Sequence, residues 1–337
     1  MLGVVFTGNE KVDVRESPEP DPKPGEALIR VRASALCGTE LPMYRSPEGS
    51  RGAIPGHEMA GDVVAVNETR AIQVGDRVSV HIMVGCGRCH FCLRGDTKHC
   101  LNIGFILGGH AEYLAAPEAC CIPLPEDLDC EHGVLVVGDL VGTPYRAVTR
   151  VGVSALDTVA VCGCGPIGLG VLNILHFLGA RTIASEVVPY RRALAEKVGA
   201  ARVVDPTQES IAEAARSITG GLGADIAFDC SARQETLTDA LESVRSQGKV
   251  AVMGEKGDCH IAPGRQIMYR EITVIGSLYF DRSDVPGMLD LYRRGLPVDP
   301  LVTHRFPIQR AAEAFATFAS GESGKVLIVH SDLSSVG

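Results

Sequence analysis

Cys86-x2-Cys89-x2-Cys92-x7-Cys100 sets four thiols at short spacing, interrupted by Gly85, Gly87 and Gly95. A loop of this kind can wrap one tetrahedral ion. Zinc held by four thiolates has no open position, so the chemistry on offer is structural. A disulfide loop and an iron–sulfur cluster are the alternatives. The basic residues Arg88, Arg94 and Lys98 would offset the negative charge of a zinc tetrathiolate. His90 and His99 lie inside the loop, but four thiols already complete the shell.

A second group is more dispersed. Cys37, Glu40, His57 and Glu58 flank a proline-containing loop, and Cys, His and Glu are all zinc-ligand types. Taken singly, such a Cys or His is more often a packing residue.

The third group is Gly163-Cys-Gly-Pro-Ile-Gly168, which follows an apolar strand pattern and opens a helix pattern. That is the setting a dinucleotide fingerprint needs. Gly163 allows the turn, Gly165 lets a pyrophosphate approach the backbone, and Gly168 lets helix and strand pack closely. With Pro166 and Ile167 opening the helix, the anion would sit on exposed N–H groups at its N-terminus. Glu186, 18 residues after Gly168, falls at the end of the next strand. Its carboxylate could accept both adenosine ribose hydroxyls and repel a 2′-phosphate, which favours NAD over NADP. Arg191 and Arg192 lie close enough to weaken that preference. A glycine turn without ligand and a solvated strand-end acid are the bland alternatives. Cys164, inside this turn, is expected to be either a buried filler or a thiol activated by the helix N-terminus, oxidant-sensitive and shielded by bound dinucleotide.

The elements that must position these groups follow from the pattern. The chain of 337 residues is long for one core. Residues 1–140 read as β-rich: Ala27–Ala33 alternates apolar and charged residues, and Gly61–Val66 and Asp76–His81 look similar. From about residue 145 strands alternate with helices. Strands are expected at 158–162, 182–185, 202–204, 225–228, 249–253 and 272–275, and helices at 167–178, 189–198, 210–218 and 234–244. This predicts an α/β fold with a doubly wound parallel sheet. The tail shows helix patterns at 285–294 and 308–319 and a last strand at 325–329.

A net charge of −9 argues against a nucleic-acid partner. The uncharged stretch 158–180 has the length of a membrane span, but its glycines, Pro166, Asn173 and His176 fit a strand, a turn and a buried helix better. The start of the chain lacks the basic region and long apolar run of a signal peptide. Twelve cysteines then read as metal ligands or packing in a reducing, cytoplasmic protein.

Taken together, the chain resembles the zinc-dependent medium-chain alcohol dehydrogenases. The matching stretches are Cys37-Gly-Thr39, Gly56-His-Glu58 with Gly61, Val74–Val78, the four-cysteine loop, Gly109–Tyr113, the Gly163–Gly168 turn, Thr303-His304 and Gly324-Lys-Val326. They span nearly the whole chain in the family's order. The resemblance implies a GroES-like catalytic domain (1–144 with 281–337), a Rossmann NAD-binding domain (145–280), and an active site between them. It implies two Zn²⁺ per chain. One is structural, on Cys86, Cys89, Cys92 and Cys100. The other is catalytic, on Cys37, His57 and Asp139, with Glu58 as an intermittent or outer ligand. Asp139 takes its role from its spacing to Thr143, itself expected at the cofactor. An open position on the metal would lower the pKa of an alcohol, whose hydride then passes to NAD. Thr39 fits the family's proton relay, but Pro42 stands where many members have a histidine. His110, where the family often has Phe, is a candidate base, and Glu40 replaces the commoner Asp.

The expected function is oxidation of a secondary alcohol, polyol or related hydroxylated small molecule to a ketone or aldehyde. Tyr44, Arg45 and His110 are expected to offer polar contacts to a multiply hydroxylated substrate. A zinc-independent enone or quinone reductase and a non-catalytic dinucleotide sensor are the alternatives. A homodimer or homotetramer is implied by family analogy. Strands 249–253 and 272–275 are candidates for an intersubunit sheet edge.

Overall fold

The computed structural model describes residues 1–255 and 257–330; residues 331–337, the end of the expected catalytic-domain tail, lie outside the described residues. Six strands form one parallel sheet in the spatial order Arg202–Val204, Arg181–Ser185, Thr158–Cys162, Ala224–Asp229, Val244–Val252, Thr273–Gly276. Helices Pro166–Phe177, Pro189–Lys197, Ile211–Ile218 and Gln234–Ser243 make the crossovers. All five residues of Thr158–Cys162 are buried, as a central strand covered on both faces requires. Strand order reverses beside this strand, so the Gly163–Gly168 turn lies at the switch point of a doubly wound sheet. Strand Val244–Val252 has partners on both sides, so of the two expected edge strands only Thr273–Gly276 lies at an edge.

The other large sheet has seven strands. Its order is Val302–Pro307, Lys325–Val329, Glu26–Ala35, Met59–Asn67, Arg77–Val80, Cys121–Pro123, with Tyr113–Pro117 also pairing with Glu26–Ala35. Pairing is antiparallel except between Val302–Pro307 and Lys325–Val329. In Glu26–Ala35 the apolar side chains turn into the core while Arg30 and Arg32 remain part-exposed, which fixes the register. That register sets Ser34 opposite Met59 and Ala35 opposite Leu327. The residues just beyond these pairs therefore gather at one end of the sheet.

The pattern reading leaves out several elements, among them a hairpin and a helix. The hairpin Leu2–Gly8/Lys11–Glu16 turns through Asn9 and Glu10, both with positive φ. A glutamate in the left-handed region is an uncommon turn residue and gives no hairpin signal. Helix Asp139–Val151 contains Gly142 and Pro144, which interrupt its apolar period. Among the described residues no helix is long and apolar enough to cross a membrane, so the 158–180 stretch is the strand, turn and buried helix expected.

His132, on helix Cys130–Val136, ties this helix to the tail. Its Nδ1 lies 3.0 Å from Asp129 Oδ2 and its Nε2 3.1 Å from Asp299 Oδ2. Burial opposes the charged ring, but the two carboxylates outweigh it and hold the pKa above 6.5. A histidine raised on folding contributes stability in full below its unfolded pKa and loses it as pH rises through the folded value. The melting temperature of the wild type should therefore exceed that of His132→Gln at about pH 6, and the gap should close towards about pH 9. A gap independent of pH would refute this.

Candidate metal and dinucleotide site

Cys37 follows strand Glu26–Ala35 and opens the short turn Gly38–Glu40. His57 and Glu58 immediately precede strand Met59–Asn67, and the Glu58 carbonyl accepts from Ala35 N–H at 3.0 Å. Asp139 is the first residue of helix Asp139–Val151. Gly138 makes its entry possible, because a Cβ there would fall 2.0 Å from the Val134 carbonyl oxygen.

The donor atoms of Cys37, His57, Glu58 and Asp139 all lie within 4.8 Å of one another, and all but the slightly open His57 are buried. Asp139 Oδ2 is 3.7 Å from Cys37 Sγ and 3.4 Å from His57 Nε2. Tetrahedral zinc with ordinary bond lengths would separate sulfur from oxygen by about 3.6 Å and nitrogen from oxygen by about 3.4 Å. The set therefore fits a zinc ion. Thr143 Oγ1 donates to Asp139 Oδ1 at 2.9 Å, so the hydroxyl expected at the cofactor is engaged in orienting a ligand.

Glu58 has two distinct oxygens. Oε1 is held by the ammonium of Lys325, the first residue of strand Lys325–Val329, in a fully buried ion pair. Oε2 is buried without a hydrogen-bond partner and is the oxygen free to meet a cation. Burial pushes the Glu58 carboxyl up to about 7 despite Lys325. Burial would lower Lys325, but Glu58, Cys37 and Asp139 keep its pKa raised. Sequence spacing gives no hint of this pair, since its members are 267 residues apart. Tyr279 was missed for the same reason. It is buried, has φ +43°, and sits where Asp139, Glu58 and Cys37 add to burial in pushing its phenol well up.

Three expected substrate contacts lie elsewhere. Tyr44 is buried among Phe6 and Phe315, with ring centroids 5.6 and 5.7 Å away. Arg45 pairs with Glu10 at the surface. His110 is fully buried, with its ring nitrogens on Ser34 and Glu40, so it has no path to act as a base towards solvent. Thr39 is exposed beside Cys37.

In the four-cysteine lobe, Cys89 Sγ is 3.5 Å from Cys92 Sγ and 3.8 Å from Cys100 Sγ, against about 3.8 Å for a zinc tetrathiolate. Cys86 N–H donates to Cys100 Sγ at 3.2 Å. Backbone N–H groups of Cys92 and Leu101 pull the Cys89 thiol down to about 6, while burial and Cys89 itself push Cys92 up to about 11. Only a cation would ionise all four. All twelve cysteines are free thiols, which removes the disulfide alternative. Lys98 does not offset the lobe's charge: it is buried against Asp281.

At the switch point, Gly163 has φ +91°, and a Cβ on Gly168 would fall 1.9 Å from the Gly163 carbonyl oxygen. Around Gly165 a Cβ would meet only the Arg191 guanidinium, at 3.9 Å, which leaves the approach open that an anion needs. Pro166 is the first residue of helix Pro166–Phe177, and Ile167 the second. Arg191 Nε also donates to the Ser323 carbonyl at 3.2 Å, bridging to the tail. Glu186 accepts from Cys164 N–H (2.7 Å) and Val188 N–H (2.9 Å), which locks the turn and leaves a lone pair on each oxygen. Arg192 is occupied by Asp205 at 3.0 Å and by two carbonyls. Cys164 is fully buried, and burial with Glu186 pushes its thiol well up, so the activated-thiol expectation fails and the filler reading stands.

A doubly wound domain with a glycine turn, joined to a β-rich domain carrying a mixed sulfur, nitrogen and oxygen donor set, is the architecture of a zinc-type dehydrogenase. Residues 166–294 match the family described as zinc-binding dehydrogenase, and residues 23–126 match the alcohol dehydrogenase GroES-like domain. The chain belongs to the zinc-dependent medium-chain dehydrogenase superfamily. It is 34% identical to the zinc-type alcohol dehydrogenase-like protein YphC of Escherichia coli (strain K12), over 97% of this chain and 98% of that one. It is 31% identical to L-threonine 3-dehydrogenase of Caldanaerobacter subterraneus subsp. tengcongensis, over 95% of each. The structure of galactitol-1-phosphate dehydrogenase from Escherichia coli superposes with a TM-score of 0.87 at 26% identity, covering 98% of this chain and 100% of that one.

Removing one partner of a buried ion pair leaves the other charge uncompensated, at a cost of about 3–5 kcal/mol. Lys325→Met should lower unfolding free energy by that amount, and adding Glu58→Gln should recover part of it, as read by urea denaturation of the two variants. A single variant as stable as the wild type would refute the account.

Proposed function

We propose that this chain is a zinc- and NAD-dependent dehydrogenase that oxidises a small secondary alcohol or related hydroxylated molecule to a ketone or aldehyde. The observation that carries the reading is one close contact. A Cβ on Gly170 would fall 2.2 Å from the Leu140 carbonyl oxygen, so the helix bearing the dinucleotide turn lies directly on the helix that begins with Asp139. One candidate metal donor, Asp139, and the dinucleotide turn are thus held by two helices in contact.

Cys37, His57 and Asp139 would hold the catalytic metal, with Glu58 Oε2 at its margin. The two groups supply, when bound, a Lewis acid that makes a substrate hydroxyl acidic and a two-electron hydride acceptor. Thr39, exposed next to Cys37, would pass the proton from the substrate hydroxyl to water. With Pro42 in the following turn and His110 sealed off, no histidine extends this relay. Gly163, Gly165, Gly168 and the N–H of Ile167, with Arg191 alongside, would cradle the pyrophosphate behind Pro166. Glu186 would receive the adenosine ribose, and a carboxylate at that strand end supports NAD over NADP. Thr143 keeps its place near the cofactor while orienting Asp139. The four-cysteine lobe would hold the second, structural zinc.

Tyr44, Arg45 and His110 no longer support a polyol in particular. The likeness to L-threonine 3-dehydrogenase supports a secondary alcohol of the kind threonine carries, and the likeness to galactitol-1-phosphate dehydrogenase supports a polyol phosphate as the second reading. Among the described residues, sheet membership supports the division into 1–144 with the tail from 281 and 145–280, although helix Asp139–Val151 crosses it. Thr273–Gly276 presents an unpaired edge with Val274 exposed, which supports a homodimer built on this strand, alone or within a homotetramer. Twelve free thiols support a cytoplasmic setting.

The test is a panel of secondary alcohols, amino alcohols and polyols, followed by NADH absorbance with NAD and with NADP, beside zinc analysis. Two zinc per chain and turnover with NAD are expected. Asp139→Ala should lose one zinc and all turnover, and Cys89→Ser should lose the other zinc. Full turnover after the metal is stripped would favour a zinc-independent reductase. Dinucleotide binding without turnover on any substrate would favour a sensor.

A further inference from the structure

Glu40 is buried, yet it touches both of the first two metal donors. Its Oε2 accepts from the Cys37 N–H at 3.2 Å, and its Oε1 lies 3.4 Å from His57 Nδ1. A carboxylate so placed orients the His57 ring with Nδ1–H towards itself and leaves Nε2 to face Asp139 and the metal. Glutamate has one more torsion than the aspartate common in the family, so its carboxylate needs a further restraint to hold this place.

His110 supplies it. Its Nε2 hydrogen-bonds Glu40 Oε2 at 3.3 Å and lies 3.2 Å from Oε1. Its Nδ1 is 2.8 Å from Ser34 Oγ, on the strand that leads into Cys37. Both His110 and Ser34 are fully buried. The Glu40 oxygen that accepts from the Cys37 N–H needs a donor from the ring as well, so His110 carries its proton on Nε2 and Ser34 O–H donates to Nδ1. One consistent set of donors and acceptors thus runs from Ser34 to His57 without a charged imidazole.

The backbone reinforces the clamp. His110 N–H donates to the Pro55 carbonyl at 3.0 Å, and Gly108 and Gly109 N–H both donate to Gly56. A Cβ on Gly56 would fall 2.8 Å from the His110 ring Cγ, so the residue before ligand His57 is stripped of its side chain where the ring packs. Phe315 closes the opposite side edge-on, with centroids 5.5 Å apart.

We propose that His110, seated by Ser34, is a positioning residue for the catalytic metal, holding Glu40 against the His57 ring and the Cys37 backbone so that both ligands are preset. It does not touch substrate. This rests on the proposed catalytic zinc at Cys37, His57 and Asp139, and the four-cysteine zinc of the same molecule serves as internal control.

The experiment titrates the zinc-loaded protein with a chromophoric chelator and resolves the two zinc ions by their release. It compares wild type, His110→Phe, His110→Gln and Ser34→Ala, with melting curves beside. His110→Phe keeps the ring volume and loses the hydrogen bonds. It should weaken the catalytic zinc roughly ten- to hundredfold and leave the four-cysteine zinc unchanged. His110→Gln, whose amide can donate to Glu40, should recover most of the loss, and Ser34→Ala should shift the same zinc by a smaller factor. Wild-type zinc affinity in His110→Phe overturns the proposal, as does parallel weakening of both zinc ions with the melting temperature. A Gln variant no better than Phe also overturns it. If His110→Phe does not fold, Ser34→Ala alone decides, by whether only the catalytic zinc weakens. A wild type that holds only the four-cysteine zinc sinks the proposed function itself; a wild type with two zinc ions and turnover, matched by His110→Phe, sinks only the role of His110.

Discussion

Negative charge packed into one end of a sheet is the constraint that organises this protein. Cys37, Glu40, Glu58 and Asp139 are all buried there, within reach of one lysine and two histidines. Burying an uncompensated carboxylate is costly, and several side by side repel one another as well. The chain answers in two ways. Lys325 neutralises Glu58 from the neighbouring strand, and His110 supports Glu40 from behind. What remains, a thiol, an imidazole and a carboxylate at tetrahedral spacing, is the charge deficit a divalent cation fills. The ion pair and the clamp each use one end of a carboxylate, so the metal site is built from residues already committed elsewhere.

The same economy links the domains. Helix Asp139–Val151 starts with a metal donor and ends on the side of the parallel sheet, where Lys249 reaches its last carbonyl at 2.7 Å. Its contact with helix Pro166–Phe177 depends on Gly170, and its contact with Phe280 depends on Gly142, where a Cβ would meet the ring at 2.3 Å. Small residues at these points set the distance between Asp139 and the glycine turn. Arg191 adds a polar tie from the turn to the tail at Ser323.

Features carried by short spacing were legible in the sequence. The four-cysteine loop and the glycine turn are local, and both fold as their spacing implies. The strands of the parallel sheet were legible because a strand buried on both faces has a continuous apolar signature. Asp139 entered only through family resemblance, since an acid in an apolar run has no periodic signal. Lys325, Tyr279 and the true partners of His110 were invisible, because they depend on which strand ends meet. The errors share one cause. Tyr44 and His110 were judged by chemical type, whereas their behaviour is fixed by burial, which a single sequence does not display.

The two cysteine-containing sites in this chain differ in one respect that decides what each can do. In the lobe, four equivalent thiols leave an ion no further position. At the sheet end, the fourth donor is a carboxylate whose other oxygen belongs to Lys325, and Lys325 is anchored by Thr303, which accepts from the Gly324 N–H at 3.0 Å. That pairing occupies Glu58 Oε1 and leaves Oε2 buried without a hydrogen-bond partner. The Gly324-Lys325 segment thereby supplies the counter-charge for one carboxylate of the four-residue donor set. A closed thiolate cage needs no such counterweight, and among the described residues the lobe's buried lysine, Lys98, is accordingly turned away from the sulfurs to Asp281.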